Sequence, residues 1–132
     1  RLAIDYRAGG AEALDGRYDL VTSLEVVEHV ADPAAFVAAL AAAVAPGGLL
    51  ILSTPNRTQW SKLIMIGIGE GTGRIPKGTH DWDRFIAPDE LKAMVRLEGL
   101  DVSDVTGIGW SPARGFQLTD DLSLNYLVTA KR

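Results

Sequence analysis

Glu25, Glu28 and His29 fall in one short run, Ser23-Leu24-Glu25-Val26-Val27-Glu28-His29, and His29 is one of only two histidines in the chain. Two carboxylates and an imidazole are a donor set for a hard or borderline divalent cation. Glu25 and Glu28, three apart, share a face if the run is helical. The same residues have a plainer reading, in which Glu28 and His29 brace the next helix and Glu25 is solvated. The second histidine, His80, lies in Pro76-Lys77-Gly78-Thr79-His80-Asp81-Trp82. A histidine can take a proton near neutral pH, or can simply be a loop residue held by Asp81 or Asp83. Asn56 and Arg57 follow the run Ser53-Thr54-Pro55 and either face a substrate or satisfy loop carbonyls. The loop Gly9-Gly10-Ala11-Glu12 offers backbone N–H groups that suit an adenine edge, with Glu12 nearby, and is otherwise a plain turn.

The elements that must carry these groups alternate between strand and helix signals. Residues 1–7 read as a strand, with Leu2, Ile4 and Tyr6 alternating against Ala3 and Asp5. Residues 8–17 are a glycine-bearing loop with one helical turn at 11–14. Residues 18–24 are a second strand, apolar and β-branched enough for burial on both faces. Asp32-Pro33 opens a helix, since Asp is a preferred N-cap and Pro is preorganised for the first helical position. Phe36, Val37, Leu40, Ala41 and Val44 form its apolar stripe, and Pro46-Gly47-Gly48 turns the chain into a third strand at 49–53. Strand, helix and strand joined this tightly predict a right-handed crossover between parallel strands. A second helix starts at Pro88-Asp89-Glu90, shows Leu91, Met94, Val95 and Leu97 on its apolar face, and stops at Gly99. Residues 100–108 and 122–130 read as strands with no strong helix between them, so they are expected to pair antiparallel. The fold class is therefore α/β, a mostly parallel sheet ending in an antiparallel strand pair. Ligands of such open sheets bind beyond the carboxyl ends of the strands, where the two polar clusters lie.

Composition removes several function classes. With 132 residues the chain is a single domain's worth or part of one, with no linker to divide it. Hydrophobic residues at 47% exclude a disordered tail. A net charge of −4 lacks the basic footprint of a nucleic-acid binder. The absence of cysteine excludes disulfides and thiolate chemistry. No apolar run approaches the ~20 residues of a membrane span. A nucleophile elbow, a phosphate-cradling loop, a His-Glu-x-x-His pair and a Gly-rich dinucleotide fingerprint are all missing from the sequence.

Taken together, Tyr18-Asp19-Leu20-Val21, the run Glu25-Val26-Val27-Glu28-His29-Val30 and Pro46-Gly47-Gly48 before a strand resemble class I S-adenosylmethionine (SAM)-dependent methyltransferases. Ser53-Thr54-Pro55-Asn56-Arg57, Pro76-Lys77-Gly78-Thr79-His80-Asp81-Trp82 and Asp121-Leu122-Ser123-Leu124-Asn125-Tyr126-Leu127 narrow the resemblance to the ubiquinone-biosynthesis O-methyltransferases. The resemblance covers essentially the whole chain. It implies a Rossmann-like fold and methyl transfer from SAM to a phenolic hydroxyl of a polyprenyl catechol or demethylubiquinol. It implies Mg²⁺ at Glu25, Glu28 and His29, His29 and His80 as catalytic groups, Ala11 and Glu12 near the adenine, and Leu24 in the SAM pocket. Two other readings stand beside it: a related small-molecule methyltransferase with another acceptor, and a non-catalytic methyltransferase-like binding module.

In that family the sheet order is 3-2-1-4-5-7-6, and the Gly-rich SAM loop and the ribose-gripping acid precede the part matched here. Residues 1–132 are thus expected to be the C-terminal portion of one methyltransferase domain, with an insertion at about 55–79. The run Trp60-Ser61-Lys62-Leu63-Ile64-Met65-Ile66-Gly67-Ile68 in that insertion reads either as a lid over the active site or as an interfacial contact with an anionic membrane, joined by Lys62, Arg74 and Lys77. The resemblance implies a cytoplasmic enzyme, peripheral on the inner membrane, with a ubiquinone-biosynthesis complex among its partners. The chain by itself is expected to bind SAM poorly or not at all; micromolar binding by calorimetry would refute this.

Overall fold

The computed structural model describes residues 3–63 and 82–132. Strand β1 (Tyr18–Leu24) leads through helix α1 (Pro33–Ala42) into strand β2 (Val44–Pro55), and β1 and β2 pair in parallel with Leu24 opposite Ser53. This is the expected crossover unit. Asp32 caps α1, its Oδ1 accepting the Ala35 N–H at 3.0 Å, an interaction worth about 1 kcal/mol. Val37, Leu40 and Ala41 bury the inner side of the helix. Val44 belongs to β2 rather than to α1, and residues 46–48 fall within the assigned strand, at a register irregularity between the Tyr18 and Leu20 pairs.

A single helical turn α2 (Gln59–Ser61) follows β2, and after the undescribed stretch come a 3-10 turn (Trp82–Arg84) and helix α3 (Pro88–Leu97). Strands β3 (Asp101–Ser111), β4 (Gly115–Thr119) and β5 (Asn125–Lys131) complete a sheet of order β1-β2-β5-β3-β4. β5 is antiparallel to both β2 and β3, which confirms the expected terminal pair. The buried core runs along this sheet from Val21, Leu50 and Leu52 to Tyr126, Val128 and Ala130, under Val37 and Leu40 of α1 and Leu91 and Val95 of α3. Gly99, at φ +75°, ends α3 as its position suggested.

Three local expectations are corrected. Residues 3–7 form no strand, and Ile4 and Tyr6 are exposed. Alternation cannot hold a strand without a ladder, and the outer edge of β1 is unpaired among the described residues. Leu97 is 83% exposed and does not belong to the apolar face of α3, because two residues past the buried Val95 it lies on the opposite side of the helix. β3 extends to Ser111 and turns back as β4, a hairpin that the glycine- and arginine-bearing stretch at 112–117 had concealed. Gly107 permits that return: a Cβ there would stand 1.9 Å from the Asp121 carbonyl oxygen.

The start of α3 has its own anchor. Ala87 has no side-chain acceptor, and Glu90 supplies one, its Oε2 accepting the Ala87 N–H at 2.9 Å while Oε1 pairs with Arg57. The N–H bond, and then the guanidinium, hold the Glu90 carboxyl below the usual carboxylate range. A depressed acid contributes stability above its unfolded pKa and loses it as pH falls through the folded one. Glu90→Gln is therefore expected to destabilise the protein by about 0.5–1 kcal/mol at pH 7, with the gap closing in acid, as thermal melts across pH would read.

Candidate functional site at the strand tips

β1 and β2 end side by side, and the chain leaves β1 through Glu25 in the left-handed region, at φ +57°. A non-glycine residue there is uncommon and needs its surroundings to hold it. They do. The Glu25 N–H donates to the Ser53 carbonyl at 3.0 Å, the Ser53 hydroxyl donates to Glu25 Oε1 at 2.6 Å, and Asn125 Nδ2 donates to Glu25 Oε2 at 2.8 Å. One carboxylate thus joins the ends of β1, β2 and β5.

The run beyond is a turn, not a helix: the His29 N–H closes onto the Val26 carbonyl at 2.9 Å. It swings Glu28 inward, where the residue is 3% exposed and its Oε2 accepts the Thr54 hydroxyl at 3.0 Å. Burial pushes the Glu28 carboxyl above the usual range; the Glu25 charge adds to this, while a backbone N–H, the Thr54 hydroxyl and His29 oppose it. Glu28 Oε1 has no hydrogen-bond partner, and His29 Nε2 lies 3.7 Å from it on a half-exposed ring. Asn125 Oδ1 is a second buried acceptor without a partner. Tyr126 is no candidate base, because burial drives its hydroxyl far up and the Ile86 carbonyl accepts its proton at 2.9 Å.

Those predicted site residues that are described therefore collect at one end of the sheet, although they do not all meet. Ala11 and Glu12, in a 3-10 turn (Ala11–Ala13), line a groove of about 610 Å³ with Val26, Val30 and Phe36 against α1. The groove is apolar on the Val26–Phe36 side and offers the backbone of residues 9–12 on the other, as an adenine needs. Leu24 stands exposed at the tip of β1, outside the lining of this groove. Asn56 is turned inward, its Nδ2 donating to the Leu122 carbonyl at 2.8 Å, and Arg57 is committed to Glu90. His80 and most of the 55–79 insertion lie outside the described residues. Sequence reasoning missed Ser53, Thr54 and Asn125 as the groups that organise the acids. The Ser-Thr pair at the end of an apolar strand was the available signal; Asn125 gave none, since its partner is a hundred positions away.

This arrangement gives no support for Mg²⁺ at Glu25, Glu28 and His29. Both Glu25 oxygens are engaged, and among the described residues no three His, Asp or Glu side chains converge as a metal-holding group.

A profile of the methyltransferase domain family matches residues 4–105. The chain belongs to this family. Its fold is that of the class I SAM-dependent methyltransferases. A SAM-dependent methyltransferase from Thermotoga maritima, described as a possible histamine N-methyltransferase, superposes with a TM-score of 0.66 at 15% identity, covering 93% of this chain and 61% of that one. The magnesium protoporphyrin IX methyltransferase of Synechocystis PCC 6803 with bound SAH gives 0.62 at 19% identity, covering 94% and 49%. Nearer in sequence are proteins named ubiquinone biosynthesis O-methyltransferase. That of Methylobacterium sp. (strain 4-46) is 45% identical over 134 residues, 98% of this chain and 54% of the relative. That of Cereibacter sphaeroides (strain ATCC 17029 / ATH 2.4.9) is 47% identical over 137 residues, 99% and 56%. The chain spans a little over half the length of these relatives.

Thr54→Val keeps the shape of the residue and removes the hydroxyl that Glu28 accepts from. Leaving a buried carboxyl without its donor is expected to cost about 1–3 kcal/mol, read as a lower denaturation midpoint. Unchanged stability would mean that Glu28 finds another partner.

Proposed function

We propose that this chain forms the acceptor-facing part of a SAM-dependent O-methyltransferase that methylates a phenolic hydroxyl of a polyprenyl catechol or demethylubiquinol in ubiquinone biosynthesis. The observation that carries this reading is the 45–47% identity, across nearly the whole chain, to proteins named for that reaction. The strand-tip cluster supports it with chemistry of the right kind.

SAM, when bound, would supply a methyl carbon on a sulfonium sulfur, whose C–S bond breaks as the phenolic oxygen bonds to that carbon, so that the sulfur leaves as a neutral thioether. The protein's part is to align the two reactants and receive the phenol's proton. Residues 9–12 and Val26 hold the adenine end in the apolar groove. Glu25, fixed by Ser53 and Asn125, gives the tip of β1 a single shape against which donor and acceptor pack. His29 accepts the proton, with the inward carboxylate of Glu28 beside its Nε2 to steady the imidazolium. His80 is the second base candidate in this reading.

No step is assigned to Mg²⁺, because among the described residues no three His, Asp or Glu side chains converge as a metal-holding group. Treating the full-length protein with a chelator tests the point. Lost turnover restored by Mg²⁺ means that the cluster rearranges around a cation; unchanged turnover means that hydrogen bonds alone organise it.

Association with an anionic membrane surface belongs to the same proposal. No helix among the described residues is long and apolar enough to cross a membrane. Trp60 and Leu63 are exposed at the start of the insertion, and Lys62 lies 4.6 Å from the centre of the Trp82 ring. Aromatic and cationic groups together suit a headgroup layer.

The full-length protein is expected to transfer a methyl group from SAM to a prenylated catechol, followed by mass spectrometry of the product. His29→Ala should lower kcat by about a hundredfold or more, the usual scale of general-base loss. Full turnover in that variant removes His29 from the role and leaves His80→Ala as the next comparison. No transfer by the parent to any catechol defeats the reading.

A further inference from the structure

Two of the chain's three tryptophans, Trp60 and Trp110, are 53% and 58% exposed, and both line one groove of about 330 Å³. They come from separate segments. Trp60 lies in α2, just past the carboxyl end of β2, and Trp110 is near the end of β3. Leu118 of β4, 66% exposed, joins them; it pairs with Ile108, so Ile108, Trp110 and Leu118 share one face of the hairpin. Burying such side chains is favourable, and a cleft of this size lined by aromatics with a few polar groups is what small ligands occupy.

The groove and the candidate site share one loop. Its far wall is formed by Ser123 and Leu124, and the next residue, Asn125, is the one that holds Glu25. That wall is held in place. The Thr58 hydroxyl donates to the Ser123 carbonyl at 2.6 Å, Asn56 Nδ2 donates to the Leu122 carbonyl, and the Asn56 N–H donates to the Leu124 carbonyl at 3.0 Å. The close approach of Asp121 to Gly107 fixes the other end of the loop. Trp60, Ile108, Trp110, Leu118 and Leu124 give the groove an apolar side, facing a polar one of Gln117, Thr119, Asp121 and Ser123.

We infer that Trp60, Trp110 and Leu118 form the subsite for the apolar tail of the methyl acceptor. The inference rests on the proposed O-methyltransferase reading and adds to it where the tail lies and which residues select for it. The tail makes no bond change; it contributes binding energy that helps place the ring.

The test compares kcat/KM of the full-length protein for a catechol bearing a short prenyl tail with that for the same catechol without one, in the absence of membranes. The parent should prefer the tailed acceptor. Trp60→Ala, Trp110→Ala and Leu118→Ser should each cut that preference by about tenfold, the scale of losing a well-packed apolar contact. Leu97→Ala removes an exposed apolar side chain of α3 that does not line the groove, and should leave the preference intact. Melting temperatures confirm that the variants fold. A parent that methylates both catechols equally, or variants that keep the parent's preference, overturn the subsite and leave the O-methyltransferase reading standing. Variants that keep the preference but lose sedimentation with anionic vesicles identify the patch as a bilayer contact, which also overturns it. A parent inactive on both catechols defeats the underlying reading first, and the subsite with it.

Discussion

The carboxylate of Glu25 is the constraint on which the geometry of the strand tips depends. Parallel pairing brings β1 and β2 to a common end, but pairing alone leaves the chain free to leave β1 in any direction. Glu25 removes that freedom by taking a hydrogen bond from Ser53 of β2 and another from Asn125 of β5, while its own backbone adopts a left-handed conformation. The unfavourable φ is tolerated because three strands hold it. The turn that follows then has one course, which carries Val26 to the groove beside Ala11 and buries Glu28 against Thr54.

The same interaction ties the two halves of the site together. Asn125 begins β5, and the loop before it runs beneath Thr58 and Asn56 on one side and against Gly107 on the other. The position of the acids and the position of the groove wall are therefore not independent. Moving residues 122–124 would pull Asn125 away from Glu25. Trp82 is tied to this frame as well, since its indole N–H donates to the Thr58 carbonyl at 2.9 Å.

Much of the architecture was legible because its signals are local. Asp32-Pro33 at a helix start, Gly99 at a helix end and apolar runs at 18–24 and 49–53 act through sterics and nearest-neighbour hydrogen bonds, and each falls in the expected kind of element. Residues 3–7 failed for a complementary reason: their alternation is a strand pattern, yet a strand exists only with a partner, and none pairs with them among the described residues. The β3–β4 hairpin failed because its turn residues look like an ordinary loop, and only the pairing of residues 107–111 with 115–119 shows the chain doubling back.

The amino-acid sequence by itself determined the fold class, the crossover unit, the antiparallel end of the sheet and the run from which the acids come. These follow from patterns a few residues long. Only the tertiary structure decided what the acids do: that Glu25 is a tie between strands, that Glu28 points inward with one oxygen unpartnered, and that Trp60 and Trp110 line the same groove. Each of these pairs residues about thirty to one hundred positions apart, a separation at which no local propensity acts and only the folded packing brings the partners together.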